Sequence, residues 1–306
     1  MRSDKLCSMR EALQRFVPDG ASVVLGTPLE SLLPFAAGHE LIRQGRRGLT
    51  VIAPVSDILF DQLIGAGCVA RVIAAWVGNV IMGSAYNYRR AVEQGIPHPI
   101  EVEDHSNLTL ALALHAAALG VPSLPTRTAL GSDLLQTNRN LRVTTCPFTG
   151  EPLVAVRALH PDVSVLQVQR CDADGNAHVW GNLGVTLDAA HASRTVILVT
   201  EEVVPTAVIT SDPGRPVIPG FLVSAVVHER WAAHPSPVQG YYNRDHDYFI
   251  EYHHETATVE GFQAWLGKWV LGVPDRQAYL TLLPAGRLEA LRVKQPAPSV
   301  PVDYGY

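Results

Sequence analysis

Two acidic residues and one amide lie close together where a predicted strand gives way to a predicted helix. Residues 100–102, which read Ile-Glu-Val, are strand-like, Glu103 and Asp104 follow them, and Asn107 precedes an Ala/Leu-rich helical run. Carboxylates in strand-end clefts often have shifted pKa values and act as acids or bases. An amide at position 107 could donate a hydrogen bond to a ligand oxygen. The alternative is that Glu103 and Asp104 form a solvated or capping pair, and that Asn107 or Ser106 caps the helix.

A glycine pattern occurs at residues 65–70, which read Gly-Ala-Gly-Cys-Val-Ala and match G-x-G-x-x-A. A dinucleotide-binding turn requires this pattern after a strand and before a helix. Here it follows a helix-like segment, residues 58–64, and precedes a strand, so we predict that these glycines end a helix. The sequence has no G-x-S-x-G nucleophile elbow and no P-loop, which argues against a lipase-like hydrolase and a P-loop NTPase.

A histidine-rich stretch lies near several carboxylates in the last third of the chain. The spacing is neither H-E-x-x-H nor that of a facial triad, the patterns typical of zinc and iron sites. We therefore predict polar surface or interface histidines and no metal site. The residues concerned are His228, His234, His246, His253 and His254, with Asp245, Asp247 and Glu255.

The elements that must position these groups alternate between strand-like and helix-like segments over the first 130 or so residues. Strands that alternate with helices of about ten residues predict βαβ units and a mainly parallel sheet. We therefore expect an α/β fold, with a mainly parallel open sheet flanked by helices and a C-terminal helical extension. The predicted strands cover 21–25, 49–53, 70–77, 100–102, 163–169 and 196–200; the predicted helices cover 35–44, 58–64, 86–94, 108–119 and 259–271.

The simplest domain organisation is one continuous domain, residues 1–306, with residues 228–306 as its C-terminal extension. No internal repeat or low-complexity tract interrupts the pattern. Within the extension, Trp265 and Trp269 stand one helical turn apart on a single face, and we predict that they pack into the core.

Composition and charge narrow the class of protein. The chain is 47% hydrophobic and 17% charged, with a net charge of −5 and no Lys/Arg run. These values argue against nucleic acid and anionic membrane as partners. No apolar span of 18 residues occurs, and the four cysteines are scattered without a C-x-x-C pair, which argues against zinc and disulfides. We expect a cytoplasmic enzyme.

Motifs in a consistent order resemble the A (alpha) subunits of the family I CoA-transferases, most of all the glutaconate CoA-transferase A subunits. The resemblance runs over about 230 residues. It is carried by an opening unit from Asp19 to Gly48, then Gly65-Ala66-Gly67-Cys68, Trp76-Val77-Gly78-Asn79, Ile100-Glu101-Val102-Glu103, Thr145-Cys146-Pro147-Phe148-Thr149-Gly150-Glu151, Asp172-Ala173-Asp174-Gly175-Asn176, Glu201-Glu202 and Gly240-Tyr241-Tyr242-Asn243-Arg244-Asp245.

This resemblance implies the positions of a substrate-binding and CoA-binding cleft. By position, Gly26 and Thr27 fall on the family's glycine pair after the first strand, Gly78 and Asn79 on the loop after the third, and Asn107 where related enzymes have a glutamine. Asn107 and Glu103 are the candidates for a direct catalytic role in this chain. The family's Gly-Gly-Phe is replaced by Gly26-Thr27-Pro28, where Pro28 lacks an N–H donor.

The resemblance also implies that this chain holds only half of an active site. In the family, the B subunit carries a Ser-Glu-Asn-Gly motif whose glutamate attacks the acyl-CoA thioester. That motif is absent here. The implied protein therefore binds a B subunit in an α₂β₂ or larger assembly, and its substrates are acyl-CoA and a carboxylic acid. Coenzyme A is a substrate, and no bound cofactor is expected. Two alternatives remain open: one half of a CoA-transferase-like hydrolase acting on a ring-containing thioester, and a non-catalytic homologue.

Overall fold

The computed structural model describes residues 5–215, 217–294 and 302–305. Within these residues, a parallel sheet forms the centre of the molecule. Its strands are β1 (Ser22–Leu25), β2 (Leu49–Val55), β3 (Val69–Trp76), β4 (Glu101–Asp104), β8 (Val163–Cys171), β10 (Thr195–Val203) and β12 (Val223–His228). In space they follow the order β12-β10-β8-β1-β2-β3-β4. The predicted α/β fold with a mainly parallel sheet is confirmed.

The chain builds this sheet outward in two directions from its middle. It first runs from β1 to β4 on one side, then returns to β8 beside β1 and continues through β10 to β12 on the other. The order of strands therefore reverses between β1 and β8. In open α/β sheets, ligands bind outside the carboxyl ends of the strands at such a reversal. The short strand β9 (Ala177–His178) pairs antiparallel with the carboxyl end of β8. The short strand β11 (Val217–Ile218) in turn pairs antiparallel with β9.

Alternate strand residues bury against two different helical layers. Val23 and Leu25 pack on one face, whereas Val24 packs on the other. The first layer contains α1 (Met9–Phe16), α2 (Phe35–Arg43), α3 (Ile58–Gly65) and α4 (Tyr86–Gln94). The second contains α5 (Asn107–Ala118) and α7 (Thr186–Ala192), which pack against each other. Apolar residues on both faces of each strand explain the nearly continuous hydrophobic runs seen in the sequence.

The C-terminal helices join the first layer. Trp265 and Trp269 are both buried in the same core as β1 and α2, so the predicted core packing of these residues is confirmed. The C-terminal extension that we expect from residue 228 to residue 306 remains a prediction. Its residues 295–301 and 306 lie outside the part of the chain that the structure describes. The remaining helices are α6 (Leu134–Thr137), α8 (Thr206–Thr210), α9 (His246–Glu255), α10 (Val259–Leu266) with a π-helical continuation (Gly267–Leu271), α11 (Arg276–Thr281) and α12 (Arg287–Leu291), with a 3₁₀ turn at Gly220–Leu222.

A second, antiparallel sheet covers α5. It consists of β5 (Ser123–Thr126), β7 (Pro152–Arg157) and β6 (Leu141–Thr145), with β7 in the middle. The sequence pattern indicates turns and short strands over residues 143–161, a stretch that contains β7 and most of β6 but not β5. Leu141, Val154 and Val156 are buried with Ala113 of α5, so this sheet packs on the second helical layer.

The glycine pattern at residues 65–70 ends a helix, as predicted. Gly65 is the last residue of α3, and Gly67 has a left-handed φ of +72°. The Gly67 N–H donates to Ile64 O, and the next N–H, that of Cys68, reaches back to Leu63 O. These hydrogen bonds satisfy carbonyl groups that would otherwise lack a donor at the helix end.

Candidate active site

The turn after β1 lies at the reversal of strand order. Gly26 has φ +94°, and a Cβ there would come within 2.7 Å of Leu33 Cδ2 and 2.8 Å of Ser56 Oγ. No other residue type fits this position without movement of its neighbours. The turn lies at the carboxyl edge of the sheet, and Gly26 is buried within this chain. A role for Gly26 in binding stays a prediction.

Thr27 is buried, and its side chain points into the protein. Its Oγ1 lies 2.7 Å from Thr186 Oγ1, and its carbonyl accepts a hydrogen bond from Val185 N at 3.2 Å. Gly184 packs so closely that an added Cβ would overlap Thr27 O. Both the hydroxyl and the carbonyl of Thr27 are therefore engaged within this chain. The turn after β1 and the segment before α7 are locked together.

The loop after β3 has the same character. A Cβ on Gly78 would overlap the Trp76 ring. The Asn79 side chain is buried, donates to Phe249 O at 2.8 Å and accepts from the N–H groups of Ile81 and Met82. Asn79 thus shapes the loop and ties it to α9.

Asn107 is exposed at the first position of α5, and Ser106 is the residue that caps this helix. The Ser106 hydroxyl accepts from Thr109 N, and Thr109 Oγ1 accepts from Ser106 N. Asn107 therefore carries no capping hydrogen bond of its own in α5. Two large apolar side chains near this edge are also partly exposed, with Trp76 40% and Leu108 43% accessible.

Glu103 lies on the face of β4 that is covered by α5 and the small sheet. Its carboxylate accepts hydrogen bonds from His105 and Asn140 at 2.9 Å and forms an ion pair with Arg71. Burial opposes ionisation, but the donors from His105 and Asn140 and the charge of Arg71 together lower the pKa of Glu103 to about 2. A carboxylate with this pKa stays ionised at neutral pH and holds no proton to donate. Its observed contacts are those of a buried ion network beside a 280 Å³ cavity.

A buried ion cluster at the carboxyl edge escaped the sequence analysis. Asp57 follows β2 with a φ of +48° and is completely buried, and its Oδ2 accepts from Arg244 Nη2 at 2.6 Å. Arg244 also binds Glu30 at 2.8 Å and stacks over the Phe249 ring at 4.1 Å. Burial raises the pKa of Asp57 to about 7, and the guanidinium of Arg244 opposes this rise. The sequence signal was the family-like run Gly240–Asp245, which contains Arg244.

The prediction that the C-terminal histidines lie at a surface or interface is wrong for His234. This ring is fully buried, with Nε2 2.8 Å from Asp245 Oδ2 and Nδ1 2.8 Å from Tyr279 OH. The hydrogen-bond partners come from the loop before α9 and from α11, so no local pattern could show them. Among the described residues, no group of three or more His, Cys, Asp or Glu side chains could hold a metal ion.

A separate cavity of 340 Å³ opens at the carboxyl ends of β8 and β10. Its floor includes Glu201, which is fully buried and accepts hydrogen bonds from Gln167 Nε2, Tyr242 OH and Trp231 N at 2.7–3.0 Å. Burial raises the pKa of Glu201 to about 7. The family-like motifs Glu201-Glu202 and Gly240-Tyr241-Tyr242 both pointed to this place in the sequence.

No helix among the described residues is both long and apolar enough to cross a membrane.

Comparison with known proteins agrees with this architecture. The Coenzyme A transferase family model matches residues 7–229. The chain is 38% identical to the A subunit of 3-oxoadipate CoA-transferase from Pseudomonas knackmussii, over 92% of this chain and 99% of that protein. It is 31% identical to the A subunit of glutaconate CoA-transferase from Acidaminococcus fermentans, over 94% of this chain and 95% of that protein. A crystal structure of the Acidaminococcus enzyme superposes with a TM-score of 0.89, covering 94% of this chain and 96% of that one.

A more distant relative has a different activity. The chain is 27% identical to a cholesterol ring-cleaving hydrolase subunit of Rhodococcus jostii, over 90% of this chain and 94% of that protein. The match to the transferase subunits is stronger in identity and nearly complete in coverage. On the family match and these two relatives, the chain belongs to the coenzyme A transferase family, as an A-type subunit.

Proposed function

We propose that this chain pairs with a separate B-type chain and moves CoA between an acyl-CoA and a carboxylic acid. The observation that carries the proposal is the state of the carboxylates at the carboxyl edge. Asp57, Glu103 and Glu201 are each buried and each bonded by protein donors. Such side chains are poorly placed to attack a thioester, which fits a chain that supplies the pocket and not the nucleophile.

The backbone of the glycine turns is the complementary part of this proposal. Attack of a carboxylate on the thioester carbonyl forms a tetrahedral oxyanion, and one well-placed donor is worth about 3–4 kcal/mol there. The turns after β1 and β3 lie at the carboxyl edge of the sheet, and their side chains are held inside the protein. Gly26, Thr27, Gly78 and Asn79 would then act through their main chain, and exposed Asn107 through its amide.

The chemistry has two balanced steps. The glutamate of the B-type chain attacks the acyl carbonyl, the C–S bond breaks, and an acyl anhydride and CoA thiolate result. The thiolate then attacks the glutamyl carbonyl of the anhydride and releases the free acid, leaving a thioester between CoA and the glutamate. A second carboxylic acid reverses both steps. The exposed Trp76 and Leu108 beside the edge suit contact with the chain that brings the glutamate.

Co-expression with a B-type chain that carries Ser-Glu-Asn-Gly tests the proposal. The complex should exchange CoA between an acyl-CoA and an acid, and replacement of that glutamate by glutamine should abolish exchange. Full exchange in that variant, or by this chain alone, would refute the proposal. Loss of thioester without any acceptor acid would instead favour the hydrolase that the Rhodococcus relative represents.

A further inference from the structure

The turn after β1, residues 26–33, has an unfavourable backbone conformation at two residues that are not glycine. Leu29 has a φ of +67° and Leu32 has a φ of +53°. L-residues rarely adopt these angles, because the Cβ comes too close to a backbone carbonyl oxygen. Such residues persist only where the surrounding structure fixes them, and they concentrate at functional sites. This turn also lies at the reversal of strand order, where open α/β sheets bind ligands.

Hydrogen bonds from distant parts of the chain fix this turn. Asn182 Nδ2 donates to Pro28 O at 3.2 Å. The Leu32 N–H donates to Pro237 O at 3.0 Å. Both bonds join neutral groups, and such bonds are about half as strong as those that include a charged group. A charged contact would therefore contribute most to holding the turn.

Glu30 supplies that charged contact. It is the only charged residue in the sequence of the turn. Its Oε2 accepts a hydrogen bond from Arg244 Nη1 at 2.8 Å. The Arg244 side chain is completely buried, whereas 30% of the Glu30 side chain is exposed. The carboxylate therefore meets a cation that water does not reach, which strengthens the attraction between them.

Arg244 is itself fixed from other directions. Its Nη2 donates to Asp57 Oδ2 at 2.6 Å, and its guanidinium stacks over the Phe249 ring at 4.1 Å. Its backbone N–H donates to Asp303 O at 3.1 Å. Asp57 also has a positive φ, +48°, so Arg244 joins the strained turn after β1 to a strained residue after β2. Loss of the Glu30 carboxylate leaves Arg244 paired with Asp57, so we expect variants at Glu30 to fold.

We propose that Glu30 is a positioning residue for CoA exchange. Its ion pair with Arg244 holds the turn after β1 in the strained conformation that the reaction requires. The proposal rests on the proposed function, because it takes this turn to be part of the transfer site. Glu30 acts through the backbone of the turn and touches no reacting atom. Its effect is therefore on the rate of the chemical step and not on the affinity for substrate.

Steady-state kinetics of the assembled A–B complex tests this role. Glu30→Ala should lower kcat about tenfold and leave KM for acyl-CoA within about twofold, because a displaced turn slows the reaction step. Glu30→Gln keeps an oxygen acceptor for Arg244 and should give an intermediate kcat. Glu93→Ala is the matched control, because Glu93 pairs with Arg89 at 3.1 Å on an exposed face of α4. This variant should behave as the natural protein does.

Two kinetic results would overturn the proposal. One is a natural kcat in Glu30→Ala, which would mean that the turn does not need the ion pair. The other is a raised KM with an unchanged kcat, which would mean that Glu30 contributes to binding and not to positioning.

Amide hydrogen exchange of the full chain without its partner tests the ion pair independently of any reaction. The Leu32 amide reports on opening of the turn, and in Glu30→Ala it should exchange about tenfold faster than in the natural protein or in Glu93→Ala. The amides of β2 should keep their natural rates. An unchanged rate at Leu32, or an equal acceleration in β2, would contradict a local role for Glu30.

The two measurements separate this inference from the proposed function. If the natural complex shows no CoA exchange, the proposed function fails, and the hydrogen-exchange result still decides whether Glu30 holds the turn. If the natural complex exchanges CoA and Glu30→Ala does so at the same rate, only the role of Glu30 fails.

Discussion

The carboxyl edge of the sheet has two halves, at β1–β4 and at β8–β12, and their side chains are arranged differently. On the β1–β4 half, polar side chains turn inward: Thr27 bonds to Thr186, Asn79 to Phe249, and Asp57 to Arg244. On the β8–β12 half, arginines and aromatic rings surround an open cavity. The first half is closed by buried hydrogen bonds and ion pairs, and the second keeps side chains around an open cavity. The contrast teaches that one sheet edge can combine a tightly packed half with an open, side-chain-lined half.

The largest expected effect comes from removing the buried ion pair between Arg244 and Asp57 on the β1–β4 half. Arg244→Met leaves Asp57 buried without its cation, and breaking a buried pair in this way costs about 3–5 kcal/mol. We expect that loss in the free energy of unfolding, measured by urea titration. The double variant Asp57→Asn with Arg244→Met should recover part of it. Arg194→Met removes a cation that lies 3.6 Å from Asp162 and is 80% exposed, so it should cost under about 1 kcal/mol. Equal losses in both single variants would contradict the buried-pair account.

The next effect is the dependence of the free energy of unfolding on pH. It compares Glu201 of the β8–β12 half with Asp57 of the β1–β4 half. Burial raises the pKa of Glu201 from 4.5 to about 7. The folded state therefore binds the proton more tightly than the unfolded state, so the free energy of unfolding falls as pH rises from about 4.5 to 7. The contribution is on the order of 3 kcal/mol. Glu201→Gln should flatten this dependence.

A second carboxyl group belongs to the same pH experiment. Asp57→Asn should also reduce the fall in stability, because burial raises the pKa of Asp57 from 3.8 to about 7. The measurement is urea unfolding at several pH values between about 4.5 and 8, the range in which these groups titrate. An unaltered slope in Glu201→Gln would show that this group is ionised at equal cost in both states.

A smaller effect tests the glycine turn after β1 on the β1–β4 half. Gly26→Ala combines an unfavourable φ of +94° with contacts of 2.7 Å and 2.8 Å to Leu33 and Ser56. We expect a loss of about 2 kcal/mol in stability, as for other strained backbone positions. CoA exchange by the assembled complex should also fall, because the turn must move. Gly45→Ala is the control: its φ is +65°, no heavy atom lies within 4 Å of the added Cβ, and only about 1 kcal/mol should be lost. Unchanged exchange in Gly26→Ala would argue against a role for this turn.

The smallest expected effect concerns the hydrogen bond between Thr27 and Thr186, which joins the turn after β1 to α7. Thr27→Val keeps the shape of the side chain but removes its hydrogen bond to Thr186. One such bond contributes about 1 kcal/mol to stability. Thr27→Ser keeps the hydroxyl and should behave almost as the natural protein does in thermal unfolding. A larger loss in Thr27→Ser than in Thr27→Val would show that packing of the methyl group dominates.

Most of the fold could be predicted, and less of the site. The helix at Tyr86–Gln94 and the first four parallel strands were located to within two residues of their ends, because their hydrophobic periods are strong and Gly or Pro residues bound them. The small antiparallel sheet was indicated only as short strands, since its exposed residues 142–145 show little hydrophobic alternation. The choice of Gly26 and Gly78 as predicted site residues rested on family resemblance. Their use in catalysis remains a prediction.

The amino-acid sequence by itself determined the parallel α/β class, the family and the places where glycine is required, because these follow from local periodicity and from motifs in order. Tertiary structure alone decided which side chains are available. Asp57 meets Arg244 across 187 positions, Thr27 meets Thr186 across 159, and Glu201 meets Tyr242 across 41. A carboxylate, hydroxyl or amide is reactive or inert according to the donors and the burial around it. Those neighbours come from elements far apart in the chain, so no local pattern records them.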